Sequence, residues 1–154
     1  MLRQLLLLEL IGLLLAAGLA AAVVLPPSLS IGSFSFRLEN VLLVFALVTL
    51  LRYVFFHRQT PYLQTMAAKG VACILVVPLF LFAALTVNQF QTRVDELGFD
   101  GLFLQARGPR AADWGRYLRN EAIFFGTGVM ILCVVLPPVF IRAIWLQNKQ
   151  RLRR

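Results

Sequence analysis

The feature that most constrains this chain is the stretch EAIFFGTGVMILCVVLPPVFIRAIW, from Glu121 to Trp145. Between Glu121 and Arg142 lie twenty residues without a charge. Twenty residues of helix measure about 30 Å, the thickness of a bilayer's hydrocarbon core. A tail dense in Lys and Arg follows at 146–154. An apolar rod with a basic end is the pattern of a membrane span with a preferred orientation. Three more apolar runs precede it, so the spans read as about 5–25, 38–56, 70–88 and 121–142.

Composition agrees with that reading. Of 154 residues, 60% are hydrophobic and 14% are charged. Soluble domains are roughly 45–50% apolar and about 25% charged. With lipid as solvent, every backbone polar group needs a partner within the protein, and helices supply one. No set of ten-residue alternating strands is present, which argues against a β-barrel. The expectation is an all-α integral membrane protein, a four-transmembrane-helix bundle forming a single domain over 1–154.

The first run, Leu5 to Leu25, precedes Pro26 and Pro27 and is interrupted only by Glu9. Gly12, Ala16 and Ala20 recur every four residues and share one face. Small faces let helix backbones approach closely in lipid, so this face predicts helix packing within a bundle or an oligomer. Its 21 residues exceed the apolar region of a typical signal peptide, so an uncleaved span is expected despite the basic start Met1-Leu2-Arg3. Next, Leu29, Ile31, Phe34 and Phe36 alternate with serines about Gly32-Ser33, which predicts a short external hairpin. Pro78 falls near the centre of the third run and predicts a kink. Residues 89–120 read as an external loop. From Arg110 no proline intervenes before Pro137, so an external helix is expected to lead into the fourth span. Trp114, Tyr117 and Leu118 mark one face of it; Asp113, Arg116, Arg119 and Asn120 lie largely around the other.

The charges predict topology. Four spans put both termini on one side, with the loop around His57. That side carries nine of the 15 basic residues against Glu9 alone. On the other side six basic residues oppose six acidic ones, so the net charge of +8 belongs to the first side. The positive-inside rule places it in the cytoplasm. Basic residues near the surface also attract anionic lipid. Scattered over short segments, they form no nucleic-acid-binding pattern.

Four polar residues stand out. Glu9 lies within a span, where an ionisable group is by default a functional suspect. It begins about one turn into the apolar run, at a depth that suits pairing with Arg3 or Arg52. Arg52 can otherwise snorkel to the headgroups. Arg119 and Glu121, with Arg37 and Glu39, fall at the external boundary, where an ion-paired ring, a ligand site or a solvated rim are the alternatives. His57 has no second metal ligand near it in sequence, and no zinc or haem set is apparent. Cys73 and Cys133 differ in depth and predict two free thiols. No phosphate loop, dinucleotide fingerprint, H-E-x-x-H or G-x-S-x-G occurs. The expectation is therefore a chain with no catalytic, cofactor or metal site.

Arg116-Tyr117, Arg119, Glu121, Phe124-Phe125-Gly126-Thr127-Gly128 and the later Pro138-x-x-x-x-x-Ile144-Trp145 carry one resemblance. Residues 116–145 resemble the last span of an uncharacterised family of small four-span inner-membrane proteins from Bacteroidota-type bacteria. The resemblance covers about a fifth of the chain and implies a bacterial inner membrane, with no activity to transfer. The function expected is a non-enzymatic accessory or scaffold subunit of a larger membrane complex. Its partners would be the lipid bilayer and other membrane subunits or further copies of itself, with no nucleic acid. The alternative is a small oligomeric transporter or lipid-handling protein using Glu9.

Overall fold

The computed structural model describes residues 2–31, 37–56, 65–102 and 111–151. Among the described residues there are four α-helices and no strand: α1 (Leu2–Ile31), α2 (Arg37–Phe56), α3 (Met66–Leu102) and α4 (Ala111–Arg151). Each holds a stretch long and apolar enough to cross a membrane: Glu9–Pro27, Arg37–Phe56, Met66–Glu96 and Arg116–Lys149. Leucines such as Leu14, Leu15 and Leu85 point outward, as side chains facing lipid do. The chain is a multi-pass membrane protein.

Local chemistry accounts for the helices. Thr65 caps α3, its hydroxyl oxygen accepting the Ala68 N–H at 3.2 Å, which satisfies one of the donors a helix start leaves open. Inside the spans, hydroxyls bond back to their own helix. Thr49 donates to the Phe45 carbonyl at 2.8 Å and Thr127 to that of Ile123 at 2.6 Å, so neither presents an unpaired donor to the apolar surroundings.

Two boundaries differ from the sequence expectation. Pro26 and Pro27 do not end the first helix, which continues to Ile31. Residues 28–31 are thus helical and not the first arm of a hairpin; residues 32–36 and His57 lie outside the described residues. Pro27 has no N–H for the Val23 carbonyl four residues back, and the Tyr117 hydroxyl donates to that carbonyl in its place at a long 3.5 Å. Neighbouring helices can tolerate proline in this way. The external loop expected over 89–120 is largely helix. α3 continues to Leu102, with a break at Gly98, whose φ of 66° favours glycine. Hydropathy marks where a span ends, whereas the helix persists because Phe90, 2% exposed, still has a neighbour to pack on. The long α4 does start at Ala111, close to the expected position. Leu118 is buried there, while Tyr117, Asp113, Arg116, Arg119 and Asn120 are exposed.

Packing is centred on the last helix. α3 packs on α4, α4 on α2, and α2 on α1. Leu43, Leu47 and Leu50 of α2, Val76 and Ala83 of α3, and Val129, Cys133, Leu136 and Phe140 of α4 form the main core. α1 joins through Ala20 and Val24 against Val44. Two glycines let α4 close on its neighbours. A Cβ on Gly126 would collide with the Val87 side chain, and one on Gly128 would lie 2.7 Å from Leu47 Cδ1. Both cysteines are free, Cys133 buried and Cys73 half-buried.

The contacts also fix direction. α2 and α4 run the same way, since Gly126 neighbours Leu43 and Gly128 neighbours Leu47. Glu9 meets Arg52, and Lys69 meets Gln147. The starts of α1 and α3 and the ends of α2 and α4 therefore share one end of the molecule, here the terminal end. The opposite end is the far end.

Candidate functional site

At the terminal end the structure brings Glu9 and Arg52 together. Arg52 Nη2 donates to Glu9 Oε2 at 2.6 Å, forming an ion pair. The Tyr53 hydroxyl donates to Glu9 Oε1 at 3.2 Å. Glu9 is 6% exposed, so its charge is withdrawn from water and balanced by a guanidinium. Such pairing offsets part of the desolvation cost of each ion. Gly12, one turn along α1, makes room for it. A Cβ there would overlap the Arg52 guanidinium.

The small face expected on α1 is what presents Glu9 to α2. Ala16 and Ala20 are buried at 2% and 0% exposure, and with Gly12 they let α1 lie close to α2. Tyr53 is the member that sequence reasoning did not single out. Its signal was position: a phenol beside Arg52 near the end of an apolar run suits the membrane interface. Arg52 Nη1 is buried without a hydrogen-bond partner among the described residues.

At the far end the arrangement is different. Glu121 is 5% exposed, and neither carboxylate oxygen has a hydrogen-bond partner among the described residues. It is withdrawn from water and, among the described residues, is not held in an ion-paired ring. Asn40 is 2% exposed, and neither its Nδ2 nor the buried Glu39 Oε2 has a hydrogen-bond partner among the described residues. Register places these groups at one level. Phe125 packs against the cluster that Val44 forms with Ala20 and Val24, and one turn outward from Phe125 and Val44 lie Glu121 and Asn40. Tyr117, a further turn along α4, reaches α1 at Val23. Arg119 is turned elsewhere: it borders a small polar recess of 130 Å³ with Phe90, Gln91, Val94 and Asp95 of α3. Asn40 went unread in the sequence, although an amide just inside an apolar run was the available signal.

Chemically, the terminal cluster can clamp α1 to α2 and hold one buried charge pair neutral. The far cluster leaves hydrogen-bonding capacity unused. Among the described residues no three His, Cys, Asp or Glu side chains come together as a metal ion would need. The chain matches no protein-family profile, no curated protein and no solved structure.

Proposed function

We propose that this chain is a non-enzymatic accessory or scaffold subunit of a larger bacterial membrane complex. In this reading it lies in the inner membrane with both termini in the cytoplasm, as its excess of basic residues at the terminal end suggests. The observation that carries the reading is that α1 has two small faces. Gly12, Ala16 and Ala20 are used against α2, whereas Ala17, Gly18 and Ala22 are exposed. A Cβ on Gly18 would meet nothing within 4 Å. Small residues on an outer face allow another span to approach closely.

The test is gentle extraction followed by native mass spectrometry. The wild-type chain is expected to travel in a fixed ratio with other proteins, and Gly18→Leu with Ala22→Leu to release them while the chain stays folded. Recovery alone, or only as a symmetric homo-oligomer, would sink the scaffold reading. A second reading, a small oligomeric transporter or lipid-handling protein, draws on Glu9, a buried carboxylate inside a span. Glu9→Gln separates the two: loss of transport or ligand binding with assembly intact favours the second.

A further inference from the structure

α2 and α3 both pack on α4, yet they stand apart from each other over much of their length. Between them runs a groove of about 420 Å³, with Ala46 and Leu50 on one wall, Ala72 and Val76 on the other, and Leu136 in its floor. On α2 its lining extends from Leu42 to Tyr53, about 16 Å of helix. That is half of the roughly 30 Å hydrocarbon core, or one leaflet. Spread over that length, the 420 Å³ volume corresponds to a cross-section of about 26 Å². That is room for one extended hydrocarbon chain lying along the groove.

The two ends of the groove are not alike. Along its length the lining is apolar apart from Thr49, whose hydroxyl is already bonded to Phe45, and Tyr53. At the terminal end each wall finishes in a polar residue. Tyr53 closes the α2 wall and passes its hydroxyl to Glu9. Lys69 continues the α3 wall one turn beyond Ala72, and Gln147 continues the α4 floor beyond Leu136 and Phe140. Lys69 Nζ donates to Gln147 Oε1 at 2.8 Å. That partner is neutral, and among the described residues no carboxylate pairs with Lys69, which is 2% exposed. Arg52, beside Tyr53, is cancelled by Glu9. Lys69 thus sets a positive charge one helical turn beyond the Ala72 lining of the groove, where low dielectric extends its reach.

We infer that this groove is a binding slot for one acyl chain of an anionic phospholipid from the leaflet at the terminal end. The chain fills the gap between α2 and α3, and the phosphate headgroup sits at the mouth under the field of Lys69. This goes beyond the scaffold proposal, because a chain with no protein partner would hold the lipid equally well.

The test uses the full-length protein, purified, stripped of lipid and supplied with phosphatidylglycerol or phosphatidylcholine of matched chains. Native mass spectrometry counts the lipids retained. The wild type is expected to keep one phosphatidylglycerol in preference to phosphatidylcholine. Ala72→Phe and Ala46→Phe plug the slot from opposite walls and should each weaken retention by about tenfold, the scale set by the loss of a few buried methylenes. Val134→Phe, on the outer face of α4, also adds bulk and should change nothing. Lys69→Gln should lower the preference for phosphatidylglycerol about fivefold while phosphatidylcholine binding holds. The inference is overturned if either plugged variant, melting with the wild type, keeps phosphatidylglycerol unchanged, or if the wild type retains both lipids equally. It is also overturned if Ala46→Cys cross-links in membranes to another polypeptide, since a protein segment would then cover the groove.

Discussion

The two ends of this molecule each bury a glutamate, and they treat it in opposite ways. Glu9 accepts hydrogen bonds from Arg52 and Tyr53. Glu121, equally withdrawn from water, has no hydrogen-bond partner among the described residues. The terminal end has turned a costly charge into a link between α1 and α2. The far end has kept a costly group without such a link. Burial alone thus says little about what a polar residue contributes in a membrane. The partner decides the sign.

The largest test of that contrast is Glu9→Leu. It strands the Arg52 guanidinium among apolar side chains and should destabilise the fold by about 3–5 kcal/mol. Unfolding in mixed micelles on titration with a denaturing detergent would measure it. The double change Glu9→Leu with Arg52→Leu should recover most of the loss, because no uncompensated charge remains. If the double variant is no better than the single one, the pair is not what holds these helices.

At the far end the sign should reverse. Glu121→Met keeps the length of the side chain and removes two unpartnered oxygens. The same unfolding assay should show a gain of about 1–3 kcal/mol, the usual cost of a buried unsatisfied group. A loss of stability instead would mean that the carboxylate has a donor in the membrane-embedded protein, and the contrast between the ends would disappear.

The smallest effect belongs to Tyr117→Phe. The phenol's bond to the Val23 carbonyl is long at 3.5 Å, and interhelical hydrogen bonds in membranes average about 0.6 kcal/mol. A loss near that size is expected, with α1 fraying beyond Val23 as seen by amide exchange. No change in exchange would remove Tyr117 from the account of how α1 passes its two prolines.

The sequence was legible where physics is local. Span position follows from the absence of charge, and α2 at Arg37–Phe56 falls almost where the apolar run puts it. The Glu9–Arg52 pair could be anticipated as one of two options because depth can be counted from the ends of helices. Much of the rest depends on neighbours. How α1 passes Pro26 and Pro27 involves a phenol 94 residues from Val23, whose carbonyl it meets. Whether residues 89–102 are loop or helix depends on where Phe90 finds a surface. Glu121 could be placed at a boundary, yet only the packing of α4 on its neighbours turns it inward. The groove depends on the distance between α2 and α3, for which a single chain's pattern carries no signal.

The position of α4 at the centre of the packing bears on how the protein is made. Synthesis runs from the N-terminus, so α1 and α2 can pair as soon as the second hairpin arm has emerged. α3 has its main packing surface on α4, which leaves the ribosome after it. Until then α3 waits in the membrane largely without its mate, and the helix that follows it is the one that gathers the others.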